Sequence, residues 1–350
     1  MATQICAWSA TSPFGHGRAA FGAGVRAGVP AGDVVPDFDI ADRLGRKGTS
    51  SMDRTTALAV STVGLLCKDD AAAVVTDERT GVVLGTTSGS TQTQFAFTTD
   101  SLTRRKPYFV NPAQMPFALM NSAAAQCASW HGLTGPNTTV AAGRLAGIAT
   151  LRYADRLLRT GRASALFAGA AEECGDARTL LERRRGNTAR LGEGAAVLYL
   201  RPGGGNRSAL AEVVALDTRL AVAGRPREAL TECLRRVLAG VAPREVWGMA
   251  PSGPDPVTTE LERDAVSAAL GREVERVVVP AELVGDTGAA TGAFQLAALL
   301  ALGEAENEGE REPGRLAVAT AVDRDGMVGC VVVRLLGGSG IATQVRGSSR

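Results

Sequence analysis

The stretch "GPNTTVAAGRLAGIATLRYADRLL", Gly135 to Leu158, decides the fold. Asn137 to Ala141 reads as a strand, a glycine-containing turn follows, and apolar residues then recur at helical spacing. A sharp strand-to-helix turn is where many α/β enzymes mount a nucleophile, because a helix N-terminus stabilises developing negative charge. The apex of this turn carries Arg144, not a Cys or Ser.

Working outward, short β-rich runs alternate with helical runs on both sides. "QICAWSA", "GVVLGTTSG", "ALFAGAAE" and "GAAVLYL" read as strands, with helices over 51–67, 89–102, 112–129, 145–160 and 177–184. A Gly-rich polar break follows at 201–208. A second series begins after it. Its strands are "ALAEVVALDT", "EVWGMAPSG", "RVVVPAE", "RLAVATAVD" and "GCVVVRLL", with helices over 226–241, 257–271 and 288–304. The order βαβα followed by clustered final strands thus occurs twice, which predicts two related α/β halves, residues 1–205 and 206–336. Near-continuous apolar strands predict sheets covered by helices on both faces. The charged stretch 303–315 reads as a solvated loop, and the Gly/Ser-rich tail 337–350 as disordered.

Composition bounds the function. Hydrophobic residues make up 45% and charged residues 21%, as in soluble globular proteins. A net charge of +2 and 4% aromatics give no footing for nucleic acid or an anionic membrane. No apolar run is read as long enough to span a bilayer, and the first residues lack a signal-peptide pattern. Six scattered cysteines with no C-x-x-C pair read as reduced thiols of a cytoplasmic protein. Only His16 and His131 are present, which leaves a triad or a His-rich metal site almost nothing to use; neither metal nor cofactor is expected.

At this point the residues resemble a known family. "SSMDRTTALAVSTV" (50–63), "GVVLGTTSG" (81–89), "HGLTGPNTTV" (131–140), "LGEGAAVLYL" (191–200) and "GDTGAATGAFQLAALLAL" (285–302) are similar, in order and spacing, to segments of β-ketoacyl synthases. The resemblance implies a thiolase fold, two related βα halves in a layered αβαβα arrangement. Active members use a Cys on the turn and two histidines. Carried over by position, these become Arg144, Met249 and Asp286, and the lysine five residues before the second His becomes Ala281. Arg stays protonated and cannot attack, Met has no proton to give, and an anionic Asp repels an enolate. The site is therefore expected to be dead for condensation, with Arg144 and Asp286 forming a buried ion pair.

The family contains a non-catalytic branch, the chain length factors, which pair with an active ketosynthase in type II polyketide systems. This implies a heterodimer, with the acyl carrier protein engaged through the complex. The branch usually carries Gln at the cysteine position, and Arg144 departs from that. The resemblance places a tunnel wall at Gln92, Phe95 and Thr99, which share one helix face and leave room for an extended, reduced or polyene chain. It places the dimer surface at Met115, Phe117, Met120, Cys127, Thr138 and Val140. Two other readings stay open: an acyltransferase or decarboxylase recruiting Ser252 and Asp286, and a homodimeric acyl-binding protein.

Overall fold

The computed structural model describes residues 2–204, 209–306 and 314–336. The tail 337–350 lies outside them, as do 205–208 of the Gly-rich break and 307–313 of the charged stretch.

The first part runs β1 (Thr3–Ser12), β2 (Gly15–His16), α1 (Gly17–Ala27), α2 (Ile40–Leu44), α3 (Arg54–Asp69) and β3 (Thr80–Thr86). It continues through α4 (Thr91–Thr103), α5 (Ser122–His131), β4 (Asn137–Ala141), α6 (Ala146–Arg159), β5 (Ala165–Glu172), α7 (Asp176–Arg184) and β6 (Gly194–Pro202). The second part runs β7 (Ala211–Leu220), α8 (Pro226–Val237), β8 (Val246–Ala250), α9 (Pro256–Leu270), β9 (Arg276–Val277) and α10 (Pro280–Val284). It ends with α11 (Thr291–Glu306), β10 (Leu316–Val322) and β11 (Met327–Leu335).

The strands form one sheet in the order β4-β3-β5-β6-β1-β7-β11-β10-β8-β9, with β2 paired to β1. Setting β2 aside and ranking strands within each part, the order is 3-2-4-5-1 followed by its mirror image. The parts join through a short antiparallel pairing, Thr3↔Val213 to Ile5↔Ala211. Strand alternation then assigns the layers. On β11, Val331 and Val333 face a core shared with Leu151 of α6 and Phe294 of α11, whereas Cys330 and Val332 face the core under α8 and α9. On the first part, Val82 and Leu84 face Leu58 of α3 and Cys127 of α5, while Val83 faces α6. The result is five layers, helices outside, sheet, α6 with α11, sheet, helices outside.

The two central helices touch through backbone. A Cβ on Gly147 would come within 2.7 Å of Gly292 Cα and Ala293 N. Only glycine permits that approach.

Three elements differ from the sequence reading. The helix read over 112–129 is a 3-10 turn, Pro112–Ala118, followed by α5, because Pro112 and Pro116 lack N–H donors. The strand read over 276–282 shrinks to β9 and turns into α10 at Pro280. Helix α1 was missed because its glycines lower helix propensity. Tertiary packing overrides this: the Phe21 ring lies 6.1 Å from Trp8 and 5.3 Å from Phe294. The stretch Gly288–Ala305 also reaches the length and hydropathy of a membrane span, contrary to expectation, yet 78% of it is buried in the core.

Gly147→Ala is expected to lower stability by about 1–3 kcal/mol through overpacking against α11. Chemical denaturation measures this, and an unchanged midpoint would mean the helices have room to spare.

Candidate functional site

The turn after β4 is made by Gly143, whose φ of +51° lies in the left-handed region. A side chain there would also strike Asp323 Oδ2. Arg144 follows on a 3-10 turn that leads into α6. Its backbone N–H donates to Asp323 Oδ2 at 2.8 Å, in the hairpin between β10 and β11. The residue is 8% exposed and its guanidinium points inward. Nη2 donates to Asp286 Oδ2 at 2.9 Å and Nη1 to the Val322 carbonyl at 3.2 Å, while Nε has no partner.

Asp286 sits between α10 and α11. Its Oδ2 also accepts from Asn187 at 3.0 Å, and Oδ1 accepts from the Gly288 N–H at 3.0 Å. Burial pushes its carboxyl up. The guanidiniums of Arg144 and then Arg178 outweigh that, with help from Gly288 and Asn187, and hold the group below the usual range. Arg144 is shifted upward. Burial opposes its charge, and the attraction and hydrogen bond of Asp286 more than offset that. Both groups are therefore ionised, and the sequence-based pairing is present.

A cavity of about 550 Å³ opens beside the pair, walled by Thr87, Ser88, Glu172, Arg178 and Asp323. No cysteine or histidine among the described residues lines it. Glu172 is fully buried, pushed up by burial, and accepts from the Thr87 hydroxyl at 2.5 Å. Arg178 is buried and donates to the carbonyls of Glu173, Gly192 and Asp286. The chemistry on offer is charge and hydroxyl groups, with no thiol or imidazole among the described lining residues. An acyl group entering this cavity meets no thiol.

Met249, expected at the first histidine position, does not join the cluster. It is buried in the core under α8 and α9, while its neighbour Ala250 faces the central layer. The correction follows from strand alternation: residue 249 of β8 points away from the site. Beyond the strand end, Ser252 is buried, its hydroxyl donates to Glu262 at 2.5 Å, and it does not line this cavity. Glu262 is a site-adjacent group that the sequence reading missed. Its carboxyl is fully buried and pushed up to about 8 by desolvation, against the hydrogen bonds from Ser252 and Gly253 and the attraction of Arg144.

Gln92, Phe95 and Thr99 lie on α4, whose only buried residue is Thr91. None of the three lines the cavity within this chain. The Gln92 side chain accepts from the Ala177 N–H at 3.1 Å, at the start of α7. The region from α4 to α5 exposes Phe95, Leu102, Tyr108, Phe109, Met115 and Met120. Apolar exposure on this scale marks an interaction surface. Thr138 and Val140 stand half-buried on β4, the sheet's end strand. Phe117 and Cys127 do not belong to that surface. Both pack into the core between α3, α5 and the sheet, which corrects the expectation for them.

Residues 25–201 match the family model described as the N-terminal domain of β-ketoacyl synthase. The chain belongs to the β-ketoacyl synthase family. Among solved structures, it is 40% identical to a chain of the ishigamide ketosynthase/chain length factor, with a TM-score of 0.87, covering 96% of this chain and 100% of that one. It shares the fold, at 14% identity and a TM-score of 0.80, with one chain of the structure of a type II PKS acyl-carrier protein in complex with its ketosynthase, over 96% of this chain and 99% of that one. Among curated ketosynthases, it is 28% identical over 143 residues to 3-oxoacyl-[acyl-carrier-protein] synthase 2 of Vibrio harveyi, 40% of this chain and 34% of that protein. The chain thus matches about a third of that relative's length. Its thiolase-fold ketosynthase architecture is the layered one expected.

Arg144→Ala is expected to cost about 3–5 kcal/mol, because it strands a buried carboxylate. Arg144→Met combined with Asp286→Leu should cost less than the two single changes summed; additive costs would show no coupling.

Glu262 gives a pH signature. The folded state keeps its proton up to about 8, whereas the unfolded chain loses it near 4.5. The unfolded state binds fewer protons in that window, so stability falls as pH rises from about 5 to about 8 and then levels. Glu262→Gln should flatten that slope in denaturation curves; an identical slope in the variant would remove the assignment.

Proposed function

We propose that this chain is the non-catalytic member of a ketosynthase pair, a chain length factor of a type II polyketide synthase. The Arg144–Asp286 pair carries the reading. It occupies the turn where an active ketosynthase holds its thiol, and it neutralises the pocket. Condensation then requires a second chain. The growing acyl chain sits on the partner's cysteine and extends into a tunnel along the dimer interface. This subunit contributes shape, not a reacting group.

The exposed apolar face around α4 and the end strand β4 support a partner on that side. Met115, Met120, Thr138 and Val140 remain the interface set. Gln92, Phe95 and Thr99 form the far wall once the partner closes over α4. Only Phe95 of the three is bulky, so the wall suits an extended, reduced or polyene chain. Residues 1–205 and 206–336 are the two related halves of this one subunit. The free cysteines fit a reducing, cytoplasmic setting.

Co-expression with a ketosynthase of the same system tests the reading. A one-to-one complex is expected on size-exclusion chromatography, with condensation by the pair and none by this chain alone. Thr99→Trp in the pair should shorten the products, since overlap in a packed cavity costs about 1–3 kcal/mol. Condensation by the isolated chain, or an unchanged product length in the Trp variant, would count against the assembly or the wall respectively.

A further inference from the structure

The mirrored sheet carries helices that are not all mirrored, and α1 is one of those without a counterpart. Helix α6 joins the third-ranked strand of the first part to the fourth, and α11 does the same in the second. By the same ranking β1 corresponds to β7, and α3 to α8. Helix α1 packs on α11 and on β1, with Phe21 against Phe294 and Trp8. Among the described residues, nothing plays its part in the second half. There, β7 reaches α8 through a single 3-10 turn, Val222–Gly224.

The position equivalent to α1, over α6 and β7, is an open groove of about 850 Å³. Its α6 wall presents Arg152, Arg156 and Arg159, spaced by four and three residues, so they share one helix face. Tyr153, Val214 and Leu216 supply apolar surface beside them. The positive charge is poorly compensated. Arg152 donates to the neutral Thr218 hydroxyl at 2.6 Å. Asp155, which also lines the groove, is the one acidic partner of Arg159 among the described residues, at 3.7 Å, and it also accepts from the Thr3 hydroxyl. Arg156 has no acidic partner among the described residues. In the first half α11 offers α1 an apolar face; here α6 offers guanidinium groups to the same space.

We propose that this groove receives one acidic amphipathic helix of a partner protein, seated on α6 and β7 as α1 is seated on α11 and β1. Carboxylates spaced by three and four residues would face the arginines, and apolar side chains would cover Val214 and Leu216. Arg152 to Arg159 spans about two helical turns of α6, the length over which a partner helix would face the arginines. Resting on the chain length factor reading, the partner is the carrier protein that delivers acyl groups to the pair. Attraction of this kind speeds encounter and weakens with salt.

Fluorescence anisotropy of labelled carrier protein, titrated with the ketosynthase pair and separately with this chain alone, tests the inference. Arg152→Glu with Arg156→Glu and Arg159→Glu should weaken binding at least tenfold, with the pair still eluting as one complex. Arg156→Glu alone, which breaks no bond within the fold, should give a smaller loss in the same direction. Unchanged affinity in the triple variant overturns the proposal. So does equal affinity of the groove for heparin, which would make it a general polyanion surface. The groove lies wholly within this chain. If no pair forms but the lone chain binds carrier protein and loses it in the variants, the groove stands and the heterodimer reading fails.

Discussion

Everything at the site depends on the backbone approach of Gly147 to Gly292. Helices α6 and α11 both pack between the two halves of the sheet, and they can cross there only because neither carries a side chain at the contact. Their N-termini are thereby fixed side by side. Arg144 precedes one and Asp286 the other, so their meeting at 2.9 Å is a consequence of the crossing. In a family built to set a nucleophile against its partner groups, the same frame here sets a cation against an anion.

That exchange changes what the frame does. A thiol and imidazole work by moving protons and accepting an acyl group. A guanidinium and a carboxylate that are both ionised, and both hydrogen-bonded to backbone or Asn187, do neither. They tie the turn before α6 to the turn before α11, and Asp323 adds a third tie from the β10–β11 hairpin. The pocket keeps its place in the fold and has no thiol or imidazole among the described residues that line it. Buried ion pairs of this kind are weak evidence for net stability, but each partner makes the other indispensable. Shape is what survives, in keeping with a subunit whose contribution to a pair is a wall.

Much of this was legible in the sequence. The strand–turn–helix around Arg144 was readable because glycine, β-branched residues and a helical apolar period all agree there. The Arg144–Asp286 pairing followed from the family resemblance, which put both positions in one pocket, joined to charge logic, since two buried unlike charges need each other. Other features were hidden for physical reasons. Which face of β8 carries Met249 depends on a one-residue register that composition does not fix. Phe117 and Cys127 are apolar residues in a segment that also exposes Met115 and Met120, and burial within such a segment is decided by packing. Helix α1 has weak intrinsic propensity and exists through its contacts with Trp8 and Phe294. The neutral carboxyl of Glu262 lies in a charged run, "ELERDAV", that reads as solvent-facing until the fold buries it.

Intact-protein mass spectrometry of the pair, after loading with an acyl thioester, examines the inert turn most directly. The acyl mass should appear on the ketosynthase chain alone, with this polypeptide unmodified at every loading. An acyl adduct on this chain would contradict the central claim, because it would require a nucleophile at a turn that carries an ion-paired guanidinium in place of a thiol.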